Sequence, residues 1–244
     1  MIQEGMAKIW SFVLDCVFPQ SCLGCGDAEV FLCADCKKNS TDLNKAKGIF
    51  RCPSCGTDSS QGIVCTECET KSSIDQIIAL VQYQPGVLPA ELIEYLKYHY
   101  AKDAFLEIKE WLKSNQEILG LLSEVDMVIP LPLHPRRLAE RGFNQAESIA
   151  RIVAQIMTKP TNTTSLKRIR ATKQQATLNR VERITNVANA FVCLQPAHVK
   201  DKTILLIDDV YTTGSTMQAA AMALKKAGAK KVRGFTLARG LCSV

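Results

Sequence analysis

"ILLIDDVYTTGST", residues 204–216, is the stretch on which the reading of this chain turns. Four aliphatic side chains, Ile204 to Ile207, describe a buried strand, and two adjacent carboxylates, Asp208 and Asp209, stand at its end. Thr212, Thr213, Gly214, Ser215 and Thr216 then make a hydroxyl-rich turn that leads into a helix. In parallel α/β sheets ligands bind beyond the carboxyl ends of the strands. A helix N-terminus at that place offers free amides and the positive end of its dipole, so the turn reads as an anion cradle.

No lysine follows Gly214 and the G-x-x-x-x-G-K spacing is absent, which excludes an NTPase P-loop. Carboxylates beside a phosphate repel it unless sugar hydroxyls, which donate hydrogen bonds, or a magnesium ion compensates. The ligand so described is a phosphorylated ribose. Its phosphate sits on Thr212 to Thr216 and its hydroxyls on Asp208 and Asp209.

Outward from this stretch, strand and helix patterns alternate from about Ser73. Strands are expected over 77–83, 127–133, 203–207 and 231–239. Helices are expected over 89–100, 104–119, 144–157 and 215–229, the last closed by Gly228. Leu92, Leu96, Phe105, Ile108 and Leu112 supply an apolar stripe for the first two helices. Such alternation predicts an α/β fold with a parallel sheet flanked by helices.

The part before Ser73 has other chemistry. Eight of the chain's 11 cysteines form four CxxC pairs: Cys22/Cys25, Cys33/Cys36, Cys52/Cys55 and Cys65/Cys68. Each pair turns two thiolates toward one ion, and two pairs complete a tetrahedral shell, so two structural Zn2+ sites are expected. Gly24, Gly26 and Gly56 let the backbone turn beside the pairs. A disulfide framework is the alternative, and it needs an oxidising compartment. Sequential pairing, 22/25 with 33/36 and 52/55 with 65/68, gives two stacked ribbons, and a cross-braced arrangement is the open alternative. Cys16, Cys193 and Cys242 sit in apolar surroundings and read as small buried side chains. The chain divides into 1–72, an N-terminal helix with a double zinc-ribbon module, and 73–244, the sheet domain.

Composition narrows the partners. The 244 residues carry a net charge of +6, and charged residues make up 22%, which suits a folded globular protein. From His134 to Arg183 there are 11 basic and 3 acidic side chains, a local +8. A concentrated positive region suits a phosphate-rich ligand or nucleic acid, and an inert solvated face is the plain alternative. The most apolar N-terminal run, Ile9 to Phe18, is short and interrupted by Ser11 and Asp15. It predicts no membrane span and no signal peptide, so a cytoplasmic location is expected. It reads as an amphipathic helix on the protein body, with membrane-surface contact through Trp10 and Phe12 as the other option. His99, His134 and His198 are isolated, and His134 alone lies beside the basic loop.

The thirteen residues 204–216 resemble the signature of type I phosphoribosyltransferases, which bind phosphoribosyl diphosphate (PRPP). That resemblance implies PRPP with Mg2+, and a basic loop to hold the departing diphosphate. "PLPLHPRRLAERGFNQ", residues 130–145, supplies it with Arg136, Arg137 and Arg141. A third segment, 166–192, is polar and basic, with Arg168, Arg170, Lys173, Gln174, Gln175, Leu178, Arg180, Arg183 and Asn186. It suits a flap over the ligand or a nucleic-acid contact strip.

"FPQSCLGCG", the cysteine quartets, "RGFNQ", "RxTxxQxxLxxxxR" and the PRPP signature together resemble the ComF (ComFC, GntX) family over roughly residues 16–240. The resemblance implies a zinc-ribbon head on a phosphoribosyltransferase-like domain and a role in natural competence, the handling of DNA taken up by bacteria. It further implies single-stranded DNA as a partner, and a competence helicase or a recombination mediator as a protein partner. A phosphoribosyltransferase of nucleotide metabolism, acting on an unidentified acceptor, is the alternative function.

Overall fold

The computed structural model describes residues 21–28, 30–39, 47–98, 102–170 and 189–240. The expected N-terminal helix with Trp10, Phe12 and Cys16 lies outside the described residues, as do His99, Cys242 and the stretch 171–188 with Lys173, Gln174, Gln175, Leu178, Arg180, Arg183 and Asn186.

A five-stranded sheet organises the chain. Its strands are β1 (Ile49–Phe50), β2 (Gln76–Gln82), β3 (Met127–Pro130), β6 (Thr203–Tyr211) and β7 (Lys231–Arg239), in the order β1-β2-β7-β6-β3. β2, β7, β6 and β3 run parallel, and β1 alone pairs antiparallel, setting Ile49 opposite Ala79 and Phe50 opposite Ile78. The sheet therefore takes one edge strand from the cysteine-rich part. A separate two-stranded ribbon joins β4 (Leu166–Arg168) to β5 (Phe191–Cys193).

Alternation within the strands explains why both faces are covered. Leu205 and Ile207 face one layer while Ile204 and Leu206 face the other, all fully buried. The first layer holds α2 (Leu88–Tyr98), α3 (Lys102–Ser114), α4 (Gln116–Gly120) and α6 (Gln145–Met157), through Leu92, Leu96, Ile108, Leu112, Leu119 and Val153. The second holds α8 (Ser215–Lys226), whose Met217, Ala220, Ala221 and Leu224 recur at helical spacing. Each large aliphatic side chain so buried contributes about 2 kcal/mol. Two short helices, α5 (Pro135–Arg141) and α7 (Pro196–Val199), lie in connections, and α1 (Ala34–Asn39) lies in the first cysteine ribbon.

Three expectations are corrected. The helix expected over 104–119 is two helices, α3 and α4, parted at Asn115, whose φ of −119° leaves the helical range. Its side-chain amide donates to the Trp111 carbonyl at 2.9 Å, using the helix C-terminus as an acceptor. The strand expected over 127–133 stops at Pro130. Residues 135–141, read as loop, form α5: His134 Nδ1 accepts from the Arg136 amide at 3.2 Å as the N-cap, and Pro135 opens the helix.

Candidate functional site

β6 carries the acids of the signature beyond its aliphatic run, because Asp208, Val210 and Tyr211 still pair with β7. Gly214 then turns the chain with a φ of +75° and starts α8 without a capping side chain. The space left at Gly214 is occupied: a Cβ there would lie 2.0 Å from the Tyr211 hydroxyl oxygen. A cavity of about 100 Å³ opens among Asp208, Thr212, Gly214, Ser215 and Thr216. The turn places Thr212, Gly214, Ser215 and Thr216 around one small space at the N-terminus of a 12-residue helix, while Thr213 lines a larger neighbouring cavity.

The acids interact with each other. The Asp209 amide donates to Asp208 Oδ1 at 3.0 Å and the Val210 amide to Asp209 Oδ1 at 2.7 Å. Burial first, and then the charge of Asp209, push the Asp208 carboxyl well above the usual aspartate range, with Arg168 pulling the other way. Such a pair favours a cation or several hydroxyl donors, which is the demand that Mg2+ and ribose hydroxyls meet. Asp208 and Asp209 are the residues that would hold them.

The basic residues are brought together unevenly. Arg168, on β4, loses basicity through burial, feels the attraction of Asp208 and the repulsion of Arg137, and lies 5.5 Å over the Phe191 ring. Arg137 thus stands near Arg168. Arg141 acts on Glu94 of α2, and Arg136 turns outward to Glu140 at 3.2 Å. Arg170 is exposed at the end of the ribbon. Asn144 of "RGFNQ" is structural: it donates to the Leu131 carbonyl at 3.1 Å and caps α6 by accepting from the Ala146 amide at 3.1 Å. This ties the basic connection to the end of β3.

Tyr83 and Glu94 were not singled out in the sequence, yet they stand at the same end of the sheet. The Tyr83 hydroxyl donates to Glu94 at 2.9 Å, and burial with the nearby acids, Asp209 among them, pushes Tyr83 up to about 12. Nothing in the local pattern marks them, since they meet only through packing of α2 on β2. A larger cavity, about 340 Å³, lies along the outer face of α8 between Pro53, Lys71, Phe191, Gln218, Met222 and Lys226. Ser215 borders both cavities.

Each cysteine quartet closes on itself in sequence order, Cys22, Cys25, Cys33, Cys36 and then Cys52, Cys55, Cys65, Cys68, with all four sulfurs within 4.8 Å. The cross-braced alternative is thereby excluded. The sulfurs of Cys25 and Cys33, and those of Cys55 and Cys65, are 3.7 Å apart. A tetrahedral zinc shell with Zn–S near 2.3 Å requires about 3.8 Å between sulfurs, whereas a disulfide requires about 2.05 Å. Both knuckles repeat one backbone pattern: Cys22 and Cys52 amides donate five residues on, and the amides of Gly26 and Gly56 return to the carbonyls of Cys22 and Cys52. Amides also donate to sulfur, from Cys33 to Cys22 at 3.3 Å and from Ser54 to Cys52 at 3.4 Å. The donor sets fit zinc, which would supply closed structural cross-links and no open position for chemistry. Cys193, expected to be buried, is half-buried and packs at the edge of the second core layer.

The parallel sheet, the acid pair before a glycine turn and the two cysteine quartets define a phosphoribosyltransferase-like protein with an N-terminal zinc-ribbon module. Residues 138–244 match the phosphoribosyl transferase domain family. The chain is 30% identical over 216 residues to competence protein ComFC of Streptococcus pneumoniae, covering 85% of this chain and 87% of that one. It is 30% identical over 197 residues to DNA utilization protein YhgH of Shigella flexneri (78% and 84% covered), and 26% identical over 219 residues to competence protein F of Haemophilus influenzae (85% and 90%). The chain belongs to the competence protein F (ComF/ComFC) family. Among the described residues no helix is long and apolar enough to cross a membrane.

Proposed function

We propose that the chain is a competence-type DNA-handling protein of the cytoplasm whose sheet domain binds PRPP with Mg2+ and which contacts incoming single-stranded DNA. The observation that carries the PRPP reading is the Asp208–Asp209 pair at the end of β6, set directly before the Gly214 turn and the N-terminus of α8. The acids accept from the ribose hydroxyls, Thr212 to Thr216 receive the 5-phosphate, and Arg137, with Arg136 and Arg141 on the same helix, serves the diphosphate. Relatives named for competence and for DNA utilization support the DNA role.

Strand contact has a physical route. Arg168 and Arg170 lead from the ribbon to Phe191, which lines the cavity along α8, and Lys71 and Lys226 flank that cavity. Among the described residues that line it there is no carboxylate. Cations without opposing acids attract a polyanion, and contact through phosphates makes the binding tolerant of sequence. Lys173, Gln175 and Arg180, outside the described residues, are further candidates for strand contact by their side-chain chemistry alone.

Calorimetry of the zinc-loaded chain with PRPP and Mg2+ tests the site. Micromolar binding is expected, and Asp208→Asn with Asp209→Asn abolishes it. A folded wild-type chain that gives no heat with PRPP overturns the reading.

A further inference from the structure

Three side chains from the end of the sheet and the start of α8 converge on three successive carbonyls of the second cysteine knuckle. The Tyr211 hydroxyl donates to the Pro53 carbonyl at 2.6 Å, and Gln218 Nε2 reaches the same oxygen at 3.4 Å. Arg239, at the end of β7, donates to the carbonyls of Arg51 and Cys52, each at 3.0 Å. Only 2% of Arg239 is exposed, and its guanidinium lies 4.9 Å over the Tyr211 ring. The first quartet has different neighbours: Phe31 stacks near Tyr95 of α2 with centroids 5.1 Å apart, and Lys37 pairs with Glu107 of α3.

Tyr211 links this clasp to the phosphate loop. Its hydroxyl fills the space that a Cβ at Gly214 would take. The ring therefore sets the path of residues 212–214, and Pro53 sets the ring. If the knuckle opened, a buried guanidinium would lose both acceptors, a change that strongly destabilises a folded chain. The loop would move in preference to leaving that charge bare.

We propose that the second quartet, Cys52, Cys55, Cys65 and Cys68, is a positioning element of the phosphate loop. Metal loading there fixes the carbonyls of residues 51–53, these hold Arg239 and Tyr211, and residues 211–216 then take the shape that receives a phosphate. The first quartet has no such part. The inference rests on the reading of that loop as the PRPP site, and it makes metal affinity and PRPP affinity reciprocal.

The test compares matched exposed ligands of the two quartets in the full chain, Cys55→Ser against Cys25→Ser. Hydrogen exchange of amides 211–216, without any ligand, and PRPP binding with Mg2+ are the two readouts. Cys55→Ser is expected to speed exchange in 211–216, with the β7 core protected as before, and to weaken PRPP at least tenfold. Cys25→Ser is expected to change both less than twofold. Tyr211→Phe keeps all eight ligands and both metal equivalents, and is expected to weaken PRPP about fivefold, the effect of one lost hydrogen bond. Equal effects of the two serine variants, or a loop as protected in Cys55→Ser as in wild type, overturn the proposal. Should Cys55→Ser fail to fold, unchanged exchange and unchanged PRPP affinity in Tyr211→Phe overturn it. A wild-type chain that ignores PRPP sinks the site reading, while the exchange comparison still judges the coupling.

Discussion

The hydroxyl of Tyr211 donates to the carbonyl of Pro53 at 2.6 Å across 158 residues of chain, in a buried contact. The second cysteine knuckle and the strand end that leads into the Gly214 turn are thereby parts of one buried contact. Arg239 completes it with two further bonds.

Replacing Arg239 by Met keeps the stem volume and removes the charge and both donors. The half-buried carbonyl of Arg51 then loses this donor and the buried carbonyl of Cys52 keeps only the Gly56 amide, which together costs about 2 kcal/mol. Chemical denaturation should show this as a lower midpoint with an unchanged slope.

Asp208 separates stability from binding. Its carboxyl is held above the usual aspartate range, so the folded chain binds a proton there that the unfolded chain has released. Stability therefore falls as pH rises through the window between the ordinary value and the raised one. Asp208→Asn removes that loss. The variant should melt at a higher temperature than wild type at neutral pH, the difference should vanish below the ordinary aspartate range, and PRPP binding should be lost.

Gly214→Ala meets two obstacles, a φ of +75° and the Tyr211 hydroxyl at 2.0 Å from the new carbon. Strain and displacement together should destabilise the chain by roughly 2 kcal/mol or more. Gly142 also has a positive φ, but nothing lies within 4 Å of its added carbon, so Gly142→Ala should retain PRPP binding and lose only about 1 kcal/mol. Thermal melts and PRPP titration of the two variants check the contrast.

For the DNA contact, Arg170→Glu with Lys226→Glu should weaken binding of an oligothymidylate uniformly. If each cation neutralises one phosphate, the slope of log affinity against log salt should fall by about 1.4 in magnitude. Fluorescence anisotropy over a salt series measures it, and a slope that stays at the wild-type value rejects these two positions.

The sheet was legible because its strands are long, aliphatic and bounded by turns. The strand expected over 231–239 coincides with β7, and the helix expected over 144–157 differs from α6 by one residue. The quartets were legible because a CxxC pair constrains its own neighbourhood, although spacing alone left their pairing open until the sulfurs were located. Asn115 and α5 were missed for a local reason. A polar residue that bonds back to a helix carbonyl, and a helix of only seven residues, leave too short a periodic signal to be read. The clasp of Tyr211, Gln218 and Arg239 on residues 51–53 was invisible for a global one. Its partners are 158 to 188 positions apart, and nothing local in a tyrosine or an arginine names a distant carbonyl.

The short β1 strand has an effect beyond architecture. It shields part of the open side of β2, "QIIALVQ", whose residues are buried along nearly their whole length. At the opposite margin β3 is covered by Thr161 and its neighbours, through the Val128–Thr161 bridge. A fragment cut at residue 73 would bare an apolar, uncharged ribbon ready to recruit copies of itself. Such a fragment is expected to accumulate as insoluble aggregates, so solubility itself depends on residues that precede position 73.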